Sequence, residues 1–363
     1  MPVLEPDELA WLATLPDVES RLVFTEGTRA NARYRVEHGP FEEQRLSELP
    51  QSNWTLLVQD VEKHLPDFRQ WFECVTFVPD WRIDDLMISF AAPGGSVGPH
   101  QDNYDVFLCQ GMGRREWRLA DPGHTRPSSV ASDLSLLEPF DAEQTIDAHE
   151  FDVLYLPPGV PHWGIAIDRC MTYSIGMRAP EWPDLISAIE RLFPKCQLRH
   201  SNAPVREFFY RDPDLQADEA KPGLISANAM RRARSWLGNA GDLSDLQFAR
   251  VFGSLVTDPK AWLSPERLNA DESRDIAGSS GPDELVVHGM TRIAYLPDRD
   301  VPAMVFANGF HRAIGSGTID HIAQLCRQRR LSRVDVAQWR ARTPDRELLV
   351  WLLGCGVFDP GEQ

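Results

Sequence analysis

The sequence predicts a mainly β core with α additions, followed by a helical stretch and a smaller mixed module towards the C-terminus. Three observations carry this expectation. Between about residues 80 and 180, short apolar runs alternate with turn residues, the pattern of a β-barrel or sandwich. After Pro180 the apolar spacing becomes helical. Beyond residue 283, two strand-like runs precede three helical ones, a mixture of the size of a winged-helix module.

Residues 1–75 mix short strand and helix signals and read as a decorating α/β segment. Within it, 54–64 has helical spacing, with Leu56, Leu57, Val61 and Leu65 as the apolar positions. The core, 76–182, is expected to hold strands at 86–91, 104–110, 115–120, 153–156 and 171–177. A helical region, 183–267, follows, with helices at 185–192, 227–237 and 243–255 and loops around Pro204 and Pro213. The stretch 268–283 is rich in Asp, Ser and Gly and reads as a linker. The last module, 284–363, is expected to hold strands at 285–295 and 303–307 and helices at 319–328, 334–340 and 346–353.

At 363 residues, with 42% hydrophobic and 25% charged, the composition is that of an ordinary globular protein with room for several domains. No apolar run of the length of a membrane span occurs, and the acidic start, Met1 to Glu8, lacks the order of a signal peptide. Six scattered cysteines without a Cys-x-x-Cys pair suit buried thiols in a reducing cytoplasm. A net charge of −17 argues against binding nucleic acid through the general surface and suits equally a cationic partner or a charge that only maintains solubility. From Gly281 onward ten Arg face ten Asp or Glu, with no Lys, so the last module is neutral and fits assembly or substrate docking better than sequence-specific DNA binding.

The chemistry centres on His100, Asp102 and His162. Residues at i and i+2 of a strand leave one face, so His100 and Asp102 can grip one side of a metal while His162 arrives from a neighbouring strand. Two imidazoles and one carboxylate leave the opposite positions open, the arrangement non-haem Fe(II) oxygenases use to admit a cosubstrate and O2. Mn(II), Co(II) and Ni(II) accept the same donors. The Gly-rich approach 93–99 lets backbone come close to a bound ion or ligand, and the Pro-rich approach 157–161 freezes the turn that presents His162.

An oxygenase of this kind takes electrons from 2-oxoglutarate, whose far carboxylate needs a cation. Strand parity in 113–119 sets Arg115, Trp117 and Leu119 on the apolar face and Arg114, Glu116 and Arg118 on the other, which makes Arg115 the expected anchor. Arg178, at the end of a strand, is the competing choice. Ser89, Thr172 and Ser174 can hydrogen-bond a carboxylate, and Tyr104, with the parity of His100 and Asp102, can wall the pocket.

These residues resemble a known family, the JmjC-type ribosomal oxygenases, and within it the bacterial arginine hydroxylases of a large-subunit ribosomal protein. The resemblance runs through Leu86-Met87-Ile88-Ser89-Phe90, Val97-Gly98-Pro99-His100-x-Asp102-x-Tyr104-Asp105-Val106-Phe107, Gln110-Gly111-x-Gly113-Arg114-Arg115-x-Trp117 and Leu154-Tyr155-Leu156-Pro157-Pro158-Gly159-x-Pro161-His162. It implies a double-stranded β-helix (jelly-roll, cupin-like JmjC) core, a helical dimerisation region giving a homodimer, and a C-terminal winged-helix domain. It also implies Fe(II) on His100, Asp102 and His162, with 2-oxoglutarate on Arg115. The implied reaction is β-carbon hydroxylation of an arginine in ribosomal protein sixteen of the large subunit. Histidine hydroxylases and other protein-modifying JmjC oxygenases share the iron site and are the alternative. A cupin enzyme working without 2-oxoglutarate would release no succinate, and a non-catalytic cupin-like binding or regulatory protein would turn nothing over.

Overall fold

The computed structural model describes residues 1–27, 31–128, 134–196, 208–238, 242–278 and 281–359. The chain divides into two compact units, one of residues 1–74 and 83–178, the other of 75–82 and 179–363.

The first unit holds β1 (Ser20–Glu26), β2 (Arg33–His38), β3 (Trp54–Val58), β4 (Ile83–Ala91), β5 (Val106–Met112), β6 (Arg115–Leu119), β7 (Gln144–Ala148), β8 (Val153–Leu156), β9 (His162–Ala166) and β10 (Cys170–Met177). Seven of these form one antiparallel sheet in the order β2-β1-β3-β4-β10-β5-β8, and β7-β6-β9 form a second. This two-sheet antiparallel arrangement is the mainly β core expected from the sequence. Short helices α1 (Pro6–Leu12), α2 (Glu43–Ser47) and α3 (Val61–His64) flank it.

The large sheet is buried on both faces at its centre, where every residue of β10 is buried. On the outer face the chain's N-terminal stretch closes over it. The Tyr173 ring stacks on Trp71 with centroids 4.4 Å apart, and its hydroxyl accepts from the Leu4 amide at 3.0 Å. The inner face is left to line a cavity.

Two expectations for the N-terminal stretch change. Residues 54–64 are not one helix: β3 runs to Val58, Asp60 takes a left-handed conformation, and only Val61–His64 is helical. All five residues of β3 are buried between β1 and β4, and a strand buried on both faces is a continuous apolar run that mimics helical spacing. The segment therefore does not decorate the core, because β1, β2 and β3 are strands of the large sheet itself.

The second unit carries α4 (Trp182–Leu192), α5 (Ala227–Leu237), α6 (Asp245–Thr257), α7 (Ala270–Ile276), α8 (Ile319–Gln328), α9 (Arg333–Ala341) and α10 (Thr343–Gly354). Its strands are β11 (Leu285–Val286), β12 (Ile293–Leu296), β13 (Met304–Ala307), β14 (Phe310–Ala313) and β15 (Arg330–Leu331). One apolar cluster joins α4, α5 and α6, with Ile189, Ala233 and Phe252 fully buried. A second joins α8, α9 and α10 to the small sheets through Ile322, Trp339 and Leu349. The expected linker contains α7. The Asn269 side chain caps it by accepting from the Asp271 and Glu272 amides at 3.0 Å, and Ser273 is buried. The loop expected around Pro204 lies outside the described residues. None of the six cysteines forms a disulfide; four are buried and Cys74 is exposed. Among the described residues no helix is long and apolar enough to cross a membrane.

Candidate metal centre and cosubstrate cavity

His162 opens β9, and across from it His100 forms an isolated antiparallel bridge. Each backbone amide donates to the other's carbonyl, at 3.0 and 2.8 Å. This pairing brings the two imidazoles to 4.2 Å between centroids. Each ring is also aimed from behind. His100 Nδ1 lies 2.9 Å from the Gly98 carbonyl and His162 Nδ1 lies 2.9 Å from the Val160 carbonyl. A carbonyl only accepts, so both Nδ1 atoms carry the proton and both Nε2 lone pairs are left for a metal.

Asp102 completes the group by a route the sequence argument did not foresee. The strand pairing ends at His100, and Asp102 and Tyr104 sit on the loop before β5 rather than on a strand face. That loop is pinned by the Gly159 amide, which donates to the Asp102 carbonyl at 2.7 Å. Asp102 Oδ2 stands 3.7 Å from His162 Nε2, and one donor atom from each of the three residues lies within 4.8 Å of the others. Burial, then the neighbouring His100, push the His162 imidazole below its ordinary range, which keeps it neutral as a ligand must be. A second group, Asp121, His124 and Glu143, has comparable spacing, but all three residues are exposed.

Glycine matters at two points here. Gly98, at φ +85°, sits where a Cβ would meet Leu136 at 2.4 Å, so the turn into His100 needs its left-handed backbone. Gly164, two residues after His162, lies against the Trp117 ring, which a Cβ would meet at 2.6 Å.

Arg115 starts β6, paired with Ala148 on one side and Ala166 on the other. The small neighbours leave room for its side chain, which is 6% exposed and lies over Trp117 at 5.7 Å. Its Nε and Nη2 are buried without a hydrogen-bond partner. The expected parity holds: Trp117 is buried beside it, whereas Arg114 is exposed and pairs with Asp168, and Arg118 pairs with Glu116.

A cavity of about 330 Å³ joins the three donors to Arg115 and Trp117. Ser89, Tyr104 and Ser174 line it, as expected. Thr172 does not: its hydroxyl donates to Gln110 Oε1 at 3.1 Å, so the strand face is right but the side chain is already committed. Arg178, the competing anchor, is not part of the lining either.

Among the lining residues that sequence reasoning missed are Asp85 on β4, Arg21 on β1 and Gln59 just after β3. Asp85 carried a signal, since it shares strand parity with Ser89 and breaks an apolar run. Arg21 and Gln59 carried none. The Tyr104 phenol is raised well above its usual range, first by desolvation and then by the negative charges of Asp102, Asp85 and Asp84. Two carboxylates, Asp85 and Asp102, thus line the cavity together with Tyr104.

Comparison with known proteins agrees with this geometry. A JmjC domain profile matches residues 70–185, and a ROXA-like winged helix profile matches 239–358. The chain is 39% identical over 260 residues to the ribosomal protein uL16 3-hydroxylase of Escherichia coli, covering 72% of this chain and 66%, just under two thirds, of that relative. To a probable ribosomal oxygenase of Haemophilus influenzae it is 30% identical over 318 residues, covering 84% of this chain and 74% of the relative. The chain belongs to the ribosomal oxygenase family. A solved structure of the E. coli ribosomal oxygenase in complex with cobalt and 2-oxoglutarate matches this ribosomal oxygenase over 99% of its length and 91% of the other chain, at 29% identity and a TM-score of 0.66.

Proposed function

We propose that this ribosomal oxygenase is an Fe(II)- and 2-oxoglutarate-dependent dioxygenase that hydroxylates the β-carbon of an arginine side chain in ribosomal protein uL16. One observation carries the reading. A buried guanidinium with two unpartnered nitrogens lines the same cavity as two imidazoles and a carboxylate. Such a guanidinium is costly without an anion, and a dicarboxylate chelating a metal on the three donors would meet that need.

His100, Asp102 and His162 would hold the ion, and Arg115 would take the distal carboxylate of 2-oxoglutarate, with Ser89 and Ser174 among the nearby hydroxyls. When bound, iron and cosubstrate supply the oxidising power for C–H hydroxylation, with O2 consumed and succinate and carbon dioxide released. The protein's own work is placement. The Gly98 and Val160 carbonyls hold the imidazoles in one tautomer. Val23, Met87 and Leu108 make part of the wall apolar and limit water. Asp85 and Tyr104 give the target side chain an anionic, partly aromatic seat, which suits a guanidinium.

The acidic chain suits a basic ribosomal protein. We place the homodimer contact in the helical region 183–267 and the enzyme in the cytoplasm. Light scattering and cell fractionation test those two placements.

The deciding experiment is anaerobic loading with Fe(II) and 2-oxoglutarate, then exposure to air with uL16, following succinate and the mass of each tryptic peptide. Substrate-dependent succinate with one oxygen added to an arginine supports the whole reading. Succinate with the oxygen on histidine keeps the oxygenase and changes its target. Absence of succinate with every protein substrate defeats it.

A further inference from the structure

Segment 94–100 runs alongside β9, and backbone bonds hold its two ends. At one end the Gly94 amide donates to the Ala166 carbonyl at 2.8 Å and the Ala166 amide to the Gly95 carbonyl at 3.0 Å; at the other, His100 and His162 exchange their pair. Between these ends the link is a side chain. Ser96 is 2% exposed, and its hydroxyl oxygen faces both elements. The Gly98 amide donates to Oγ at 3.0 Å and the Trp163 indole Nε1 donates to it at 2.9 Å, which fills both acceptor positions of a hydroxyl. Trp163 directly follows His162 in β9. Its ring is packed, with Phe140 edge-on at 5.9 Å and the Arg118 guanidinium over it at 5.5 Å. The Ser96 carbonyl in turn accepts from the Thr25 hydroxyl at 3.4 Å.

We propose that Ser96 is a positioning residue for both imidazole donors, and that its one oxygen sets the two histidine turns in register before an ion binds. The path is short on each side. Gly98, held by Ser96 through its amide, presents the carbonyl that orients His100 Nδ1. Trp163, held through its indole, anchors the β9 backbone at the residue next to His162. An alanine at position 96 would leave two buried N–H groups without their acceptor, and buried donors are costly to leave unpaired. The turn could satisfy the Gly98 amide again only by moving, which displaces the carbonyl behind His100. Ligand imidazoles depend on such outer partners, whose loss costs about 10–100-fold in metal affinity. Because one acceptor serves both turns, losing either donor to it should be felt at the same ion. This builds on the reading above in that His100, Asp102 and His162 are taken as the metal ligands.

The test titrates Mn(II) into full-length, metal-free protein without cosubstrate and reads the free ion by electron paramagnetic resonance, so that no turnover enters. Ser96→Ala should bind Mn(II) about tenfold more weakly than wild type, the lower end of the range for an outer partner. Replacing Trp163 with benzothienylalanine keeps the shape of the ring and deletes the N–H. It should weaken Mn(II) binding in the same direction, and the two changes together should be no worse than Ser96→Ala alone. Ser20→Ala is the control, since it removes another buried hydroxyl of the first unit, one that donates to the Ala13 carbonyl at 3.3 Å. It should lower the melting temperature and leave Mn(II) affinity as in wild type. The proposal is overturned if either Ser96→Ala or the benzothienylalanine protein binds Mn(II) as tightly as wild type, or if Ser20→Ala loosens it as much as Ser96→Ala does. If Ser96→Ala does not fold, the benzothienylalanine protein decides alone by the same criterion. A wild type that binds no Mn(II) defeats the metal centre and this proposal with it, whereas tight wild-type binding that neither change disturbs defeats the Ser96 role and leaves the metal centre standing.

Discussion

Arg115 offers a perturbation in which stability and function should move in opposite directions. Two of its nitrogens are buried without hydrogen bonds, and the residue is 6% exposed. Each orphaned donor costs about 1–3 kcal/mol, so the pair costs roughly 2–6 kcal/mol. Replacing Arg115 with Met keeps the apolar stem and removes both donors, while forfeiting a contact with Trp117 of about 0.5–2 kcal/mol. Protein without cosubstrate should therefore be unchanged or gain a few kcal/mol, a rise of several degrees in melting temperature for a unit of this size. Ligand stabilisation should behave differently. At a hundredfold excess over its dissociation constant, 2-oxoglutarate should add about 2.7 kcal/mol to wild type and nothing to Arg115→Met. Calorimetric melts of both proteins with Mn(II), with and without 2-oxoglutarate, read the two effects together. A variant that melts several degrees lower on its own and still gains from 2-oxoglutarate would refute the assignment and return attention to Arg178.

Three further outcomes follow from the geometry. His100→Ala or Asp102→Ala should lower bound Fe(II) and turnover by more than about 100-fold, the upper range for losing an outer partner of a ligand; near-normal activity in either sinks the metal centre. Gly164→Ala should destabilise the first unit by about 1–3 kcal/mol through overpacking, because its Cβ would stand 2.6 Å from Trp117; a neutral urea midpoint would show that the ring can yield. In the second unit, burial opposes the Glu219 charge, but Arg232 at 2.7 Å, Ser226 and Asn228 outweigh it and hold the carboxyl near about 2. Because the folded value lies below the unfolded 4.5, this stabilisation is complete above that pH and is lost as pH falls towards about 2. It amounts to about 3 kcal/mol, so the stability of Glu219→Gln should vary less with pH across that interval. An unchanged acid profile would count against the ion pair.

What was legible in the sequence was local. His100 and His162 sit in stiff turns whose residues announce themselves, and Arg115 declares its face by alternation within five residues. The helix over 227–237 was equally plain, since its Ser226 cap and its apolar spacing lie in one short segment. The Asn269 to Glu272 pair is also a local signal, a capping box, but the surrounding Asp, Ser and Gly masked it and the segment read as linker. The misread strand β3 has a different cause. Its burial depends on β1 and β4, more than 20 residues away on either side in the chain, and no periodicity within 54–64 reports them. The same dependence hid Arg21 and Gln59, which meet Asp85 only through that strand order.

The two histidine turns repeat one solution. Each ligand follows a proline, Gly98-Pro99-His100 and Val160-Pro161-His162, and each ring is oriented by the carbonyl two residues before it. Proline has no amide to donate and narrows the backbone choices of the residue ahead of it, a restriction that Gly98 meets at φ +85°, so that carbonyl has few directions in which to point. The proline carbonyls are in turn fixed, accepting from Leu137 at 2.9 Å and from Ala120 at 3.0 Å. The imidazoles are thereby set by backbone and not by packing alone, and the bridge between His100 and His162 sets their mutual distance. Asp102 lacks such a device on its own segment and relies on the Gly159 amide, which belongs to the turn that presents His162. Any shift of that turn therefore bears on two donors together, His162 directly and Asp102 through this one hydrogen bond.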